Sequence, residues 1–256
     1  MVSFGAQGGD IVPATTSCNL MNDRKSDLAS GPLKTFGRRG GRPLSGRQKL
    51  LMDEVLPRLQ IPIEAGHQLD PRQLFPSAGE VWLEIGFGGG EHVSGQARRN
   101  PNAGILASEV FFEGIAKLLG QVEDAALPNV RIWPEDGREL VDGLQDSCID
   151  RAFILFPDPW PKARHQKRRL IQPDFLNALA RVMKSGGQVR FATDVRSYAD
   201  EALERFLAHP SYNWTATCAD DWRSAPADHV QTRYQEKKLG DIAPVYYDFS
   251  IENDAN

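Results

Sequence analysis

Five times between residues 81 and 208 the chain sets a short apolar run before a turn and a segment with apolar residues at helical spacing. The runs are VWLEI (81 to 85), GILASE (104 to 109), NVRIW (129 to 133), IDRAFILF (149 to 156) and QVRFATD (188 to 194). The segments that follow are EHVSGQARR (91 to 99), FEGIAKLLGQVEDA (112 to 125, ended by Pro128), GRELVDGL (137 to 144), LIQPDFLNALARVMK (170 to 184, closed by Gly186 and Gly187) and SYADEALERFLA (197 to 208). Strands alternating with helices at this interval predict a parallel sheet with helices on both faces. VYYDFSI (245 to 251) reads as one further strand.

At 256 residues and 41% hydrophobic, the chain can bury one sizeable core. Residues 1 to 33 are rich in Gly, Ser, Thr, Asn and Asp without periodicity and read as a disordered tail, with Met21 a second candidate start. QKLLMDEVLPRL (48 to 59) has helical spacing, and residues 34 to 256 read as one domain that begins with a basic arm, 34 to 49. Cys18, Cys148 and Cys218 are odd in number and far apart, which suggests neither a disulfide framework nor a metal site, and fits a reducing cytoplasm. No leader pattern and no run of about 18 apolar residues is visible, so no membrane is expected.

The net charge is -4, yet the cations are not evenly spread. Lys34, Arg38, Arg39, Arg42, Arg47 and Lys49 lie in one acid-free stretch, and Lys162, Arg164, Lys167, Arg168 and Arg169 in another. Two such stripes on an acidic body are compatible with a polyanion held at one place. A solvated helix face would more commonly mix both signs to gain i,i+4 pairs.

In doubly wound sheets ligands lie beyond the carboxyl ends of the strands. Glu84, Glu109, Asp136, Asp158 and Asp194 fall at or just after those ends. Five acids on one rim would repel unless they face cations or accept hydrogen bonds. The turn GFGGG (86 to 90) does not complete a dinucleotide fingerprint, because Glu91 stands where a third glycine belongs, and that acid would also meet an incoming pyrophosphate. Gly86, Gly88, Gly89 and Gly90 instead allow close approach of something uncharged or cationic, and Glu109 is placed to accept from a ribose diol. S-adenosylmethionine, with a ribose and a sulfonium but no phosphate, meets that description. Glycine turns and strand-end acids are also ordinary loop chemistry, so each element alone is weak.

In FPDPWPKARHQKRR (156 to 169), Pro157 and Pro159 stiffen the backbone on both sides of Asp158 and pre-set its carboxylate. Trp160 offers a flat face to a purine, and the cations that follow are within reach of flanking phosphates. His92 and His165 have no ligand-like spacing. His165 joins the basic stripe, while the other histidines, with Trp82, Trp133, Trp214 and Trp222, read first as packing or surface residues.

VWLEIGFGGGEHV, LASEVFFEGI, FPDPWPKARHQKRR, FATDVRSYA and QTRYQEK together resemble the successive motifs of the bacterial tRNA (guanine-N7)-methyltransferases, from about residue 34 to 251. The resemblance implies a Rossmann-like class I methyltransferase fold, with a mostly parallel seven-stranded sheet whose last strand is antiparallel. It implies methyl transfer from S-adenosylmethionine to N7 of a guanine in tRNA, variable-loop guanine 46, by a monomer or homodimer. Glu84, Gly86, Gly88, Glu109, Asp136 and Asp158 would line the cofactor pocket, with Asp158 at the reaction centre. Lys162, Arg164, His165, Lys167, Arg168, Arg169, Asp194, Thr232, Arg233, Tyr234 and Gln235 would meet the substrate. The family motif near the C-terminus usually carries Glu where this chain has Gln235, which keeps an acceptor and loses the charge. A methyltransferase of another substrate and a non-catalytic RNA-binding protein on the same scaffold are the alternatives.

Overall fold

The structure is a computed structural model that describes Met1 and residues 40–252. The tail, the candidate start at Met21, and Lys34, Arg38 and Arg39 of the basic arm lie outside the described residues. The described chain opens with α1 (Gly46–Leu50), a π-helical turn (Leu51–Val55) and α2 (Leu56–Leu59). Ser45 and Gln48 form a capping box at the start of α1, satisfying two of the amides a helix leaves without partners. Pro57 is tolerated because it sits in the first turn of α2.

There follow β1 (Glu80–Ile85), α3 (Glu91–Arg99), β2 (Ala103–Ser108), α4 (Phe112–Asp124), β3 (Val130–Trp133), α5 (Gly137–Asp142) and β4 (Ile149–Leu155). After a 3-10 segment (Ala163–Arg168) come α6 (Pro173–Val182), β5 (Met183–Thr193), α7 (Arg196–Ala208), β6 (Tyr212–Trp214), α8 (Asp220–Arg223), α9 (Arg233–Glu236) and β7 (Val245–Ile251). Among the described residues no helix is long and apolar enough to cross a membrane.

The seven strands run in the order β3-β2-β1-β4-β5-β7-β6. β1 to β5 pair in parallel, and β7 is antiparallel to both β5 and β6. Strand order reverses between β1 and β4, so their carboxyl ends open the crevice in which such sheets hold ligands.

Alternation along β1 divides the core. Val81, Leu83 and Ile85 join the cluster that includes Leu140, Leu176, Leu179 and Tyr198 from α5, α6 and α7, while Trp82 joins Val93, Leu118 and Leu119 from α3 and α4 on the opposite face. Glu84 shares its parity with Trp82, and its side chain reaches α3. The N-terminal helical run packs beside α4, where Arg47 pairs with Asp124 and Arg58 with Glu123 at 3.2 Å. Arg47, one of the cations of the basic arm, is exposed and forms its pair with Asp124 at the surface.

Candidate functional site

Four loops at the carboxyl ends of β1 to β4 enclose a cleft of ≈ 290 Å³, close to the lower end of the range of about 300–1,000 Å³ usual for small-molecule sites. Its wall includes Gly86 and Gly88, Ser108 and Glu109, Asp136 and Arg138, then Phe156 to Asp158, Trp160 and Arg168.

Gly86 (φ 74°) and Gly88 (φ 58°) are left-handed and have open space where a Cβ would project, so the backbone itself forms this part of the wall. Glu109 fixes the turn. Its Oε2 accepts from Gly88 N–H at 2.7 Å, and its Oε1 accepts from the N–H groups of Val110 and Phe111 at 2.8 and 3.0 Å. Burial raises the Glu109 carboxyl above the ordinary range; the three amides pull it down, and the charge of Asp158 adds to the rise. Asp136 caps α5 by accepting from Arg138 N–H at 3.0 Å and pairs with the Arg138 guanidinium at 2.6 Å.

On the fourth loop Phe156 (φ 52°) and Trp160 (φ 41°) are both left-handed, and each precedes a proline. Non-glycine residues held there cost on the order of 1–3 kcal/mol each, so the surrounding structure over-determines this segment. Between them Asp158 stands at the cleft mouth. It makes no hydrogen bond or ion pair with any described residue, and crowding within the cleft raises its pKa even though the residue is exposed. The other four rim acids all have partners in the protein: Glu84 with His92, Glu109 with amides, Asp136 with Arg138, and Asp194 with Tyr234.

The basic stripe divides. Lys162, Arg164 and Lys167 are exposed, and His165 is half-buried with its ring centroid 6.0 Å from that of Trp160. The Arg168 guanidinium lies 5.0 Å from the Trp160 ring centroid inside the cleft wall. The cations beside His165 and its local burial keep its pKa low, burial being the larger cause.

Comparison with known proteins bears on what such a cleft is for. A family described as putative methyltransferase matches residues 78–245. A tRNA (guanine-N(7)-)-methyltransferase of Hyphomonas neptunium is 55% identical over 219 residues, spanning 86% of this chain and 100% of the relative. The enzyme of the same name from Caulobacter vibrioides (strain NA1000 / CB15N) is 54% identical over 86% of this chain and 96% of its own length. The chain belongs to the tRNA (guanine-N(7)-)-methyltransferase family.

Among solved structures, the 16S rRNA methyltransferase KamB superposes with TM-score 0.53 at 15% identity, covering 76% of this chain and 99% of its own. A 16S rRNA (adenine(1408)-N(1))-methyltransferase mutant with cosubstrate SAM from Catenulisporales acidiphilia gives TM-score 0.53 at 14% identity, over 74% of this chain and 94% of its own. With the strand order, these establish the Rossmann-like class I methyltransferase fold for this member of the tRNA (guanine-N(7)-)-methyltransferase family.

Gly86, Gly88, Glu109, Asp136 and Asp158 come together in one cleft, but three residues expected at the surface of this family member's site lie elsewhere. Glu84 is 3% exposed and bonded to His92 Nδ1 at 2.7 Å, on the α3 side of the sheet and outside the cleft wall. Arg169, expected on phosphate, is 1% exposed; its guanidinium donates to the carbonyls of Pro159 and Ser197, to Ser197 Oγ, and to Glu201. It braces the Asp158 loop against α7. Asp194 is 4% exposed and accepts from Tyr234 Oη at 3.2 Å, so it holds the C-terminal loop where substrate contact was expected.

In that loop Thr232 and Gln235 form the capping box of α9, Arg233 is exposed, and the Tyr234 ring lies 5.5 Å from Phe156. Gln235 points inward, with Oε1 2.8 Å from His229 Nε2 and Nε2 donating to Tyr246 Oη at 2.8 Å. Sequence reasoning missed the buried His92 and half-buried His229, read there as packing or surface residues. The available signal was the pairing of Glu84 at a strand end with His92, the second residue of the next helix.

Proposed function

We propose that this protein transfers a methyl group from S-adenosylmethionine to N7 of a guanine in tRNA, at variable-loop guanine 46, giving N7-methylguanosine. The names and identities of its relatives support the reaction, and one local observation carries the site. Asp158 is the rim acid without a partner among the described residues, and strained pre-proline residues hold it in the same cleft as the glycine turn.

The residues present fit the cofactor. Gly86 and Gly88 leave backbone space for it, Glu109 Oε2 has acceptor capacity left for a ribose hydroxyl, and Asp136 lies across the cleft. When bound, S-adenosylmethionine supplies an electrophilic methyl group on a sulfonium. Guanine N7 would take that methyl on its own lone pair as the carbon–sulfur bond breaks and its electron pair stays on sulfur, leaving a neutral thioether, so no proton has to be removed first and the ring takes up the positive charge. Catalysis then rests on alignment, exclusion of water and negative potential beside the purine. Asp158 provides that potential and accepts from the guanine N1–H and N2–H edge, which adenine does not offer. Arg168, Lys162, Arg164 and Lys167 meet phosphates beside the bound base, giving affinity without sequence information.

The same reading makes residues 34 to 256 one catalytic domain working in the cytoplasm. The decisive experiment incubates the protein with unmodified tRNA and labelled S-adenosylmethionine and maps methylated guanines by their chemical lability. Label at a single variable-loop guanine is expected. Methylation of free guanosine but not of tRNA would overturn the assignment.

A further inference from the structure

On the α3 face of the sheet, the segment Asp228–Gln235 docks through several contacts that cofactor and substrate binding do not explain. The Asp228 carboxylate pairs with Arg151 of β4 and Arg190 of β5, each at 2.6 Å. Its backbone carbonyl accepts from Gln96 Nε2 at 2.8 Å and from Arg99 Nη1 at 3.1 Å, both on α3. Two residues on, Val230 lies against Gly95. A Cβ added at Gly95 would come within 2.7, 3.0 and 3.3 Å of three atoms of this stiff, β-branched side chain. His229 lies 5.8 Å from His92, ring to ring, and passes the connection to Gln235.

The donors and acceptors in this line of contacts fix the direction of its hydrogen bonds. A carbonyl oxygen only accepts, so the Gln96 amide nitrogen must face Asp228. That same nitrogen is 3.2 Å from His92 Nε2, which is therefore the acceptor. His92 then donates Nδ1–H to Glu84, the acid two residues before the glycine turn. A line of hydrogen bonds thus runs from the end of β1 to the carbonyl that begins the C-terminal loop, and three of its members, Glu84, His92 and Gln96, are at most 3% exposed.

We infer that α3 registers the C-terminal substrate loop against the glycine turn, with His92 and Gln96 as positioning residues and Gly95 as the notch that admits Val230. This rests on the reading of the loop as part of a tRNA methyltransferase site. It assigns a reason for a glycine in the middle of a helix, where it costs helical stability.

The test compares wild type with Gly95→Ala, Gly95→Ala/Val230→Ala and Gln96→Met in the full chain. Alanine is the better helix former, so a merely structural role for α3 predicts an unchanged or higher Tm and unchanged kinetics for Gly95→Ala. The registering role predicts the same Tm but a fall of at least about tenfold in kcat/KM for tRNA, with the Kd of S-adenosylmethionine within about twofold of wild type. Trimming Val230 in the double variant should restore activity to within about threefold, and Gln96→Met should show the same split between tRNA and cofactor. Trypsin cleavage after Arg233 and Lys237 should accelerate at least about tenfold in Gly95→Ala and return in the double variant.

Wild-type cleavage rates in both single variants would overturn the docking role, whatever the substrate proves to be. Accelerated cleavage with full tRNA methylation would overturn the positioning role. Failure of wild type to methylate tRNA, with the cleavage pattern as expected, would instead sink the substrate reading and leave the docking standing.

Discussion

Glu109 Oε2 accepts the backbone N–H of Gly88 at 2.7 Å, tying the end of β2 to the glycine turn after β1 across 21 residues. With Val110 and Phe111 on the other oxygen, three of the roughly four lone-pair sites of this carboxylate are already used. A ribose diol can thus claim one site on Oε2.

Glu109→Gln should therefore weaken cofactor binding by disturbing the turn as well as by losing a hydroxyl acceptor. Loss of charged hydrogen bonds of about 1.5–3 kcal/mol corresponds to a Kd increase of roughly 10- to 150-fold by calorimetry. A 2′-deoxy analogue of the cofactor should bind more weakly than the parent to wild type and nearly equally to the variant. An equal penalty in both proteins would remove Glu109 from ribose recognition.

Asp158→Asn should abolish most turnover while leaving the protein at least as stable at neutral pH. The folded-state pKa of Asp158 is raised, so folding favours the protonated form, and stability declines as pH rises from the unfolded value through the raised one. The amide removes that cost. In wild type the acid limb of kcat should accordingly lie above the ordinary aspartate range. A melting-temperature drop in Asp158→Asn, or near-normal turnover, would contradict the assignment.

Arg168 and Arg169 are neighbours with opposite fates. Arg168→Ala should weaken tRNA binding and reduce the log-log salt slope by about 0.7–0.9 for each phosphate no longer neutralised, with little change in Tm. Arg169→Ala should instead destabilise the fold by about 3–5 kcal/mol, since it removes a side chain with no exposed surface that pairs with Glu201. Chemical denaturation distinguishes the two; equal stabilities would place Arg169 at the surface after all.

Much of this was legible from residue order. The helix 91 to 99 and the strand 245 to 251 have the boundaries their periodicity gives, and the rim acids fall where β-α alternation puts them. Composition does not report on which side of the chain a charge ends up. KRR reads as three equivalent cations, but Arg168, the last residue of the 3-10 segment, lies over Trp160, while Arg169, its C-cap, runs beneath the loop to α7. Parity along β1 would have placed Glu84 with Trp82, away from the sheet face of Ile85. β6, three residues long, is too short to show an alternation. β5 begins at Met183 and shifts register near Gly186, which looked like a helix stop. The left-handed conformations of Phe156 and Trp160 run against the usual preference of pre-proline residues, so only coordinates reveal them.

Gln235 stands where the family motif usually has Glu, and its surroundings account for the neutral side chain. It must accept from Thr232 N–H, share a hydrogen bond with His229 and donate to Tyr246 at the same time, which an amide does with its two ends. Burial is the main reason the pKa of His229 is low; Arg190 pushes the same way, while the Gln235 bond and Asp228 oppose them. Gln235→Glu would add a carboxylate to this set and raise the His229 pKa. A raised histidine pKa contributes stability that is present at low pH and lost as pH rises through the folded value. The variant should therefore melt higher relative to wild type at about pH 6 than at about pH 8, and its KM for tRNA should acquire a pH dependence over that interval that wild type lacks. Histidine NMR titration reads the shift directly. A flat pH profile with an unmoved His229 resonance would show that the inward hydrogen bonds of residue 235 do not govern the loop.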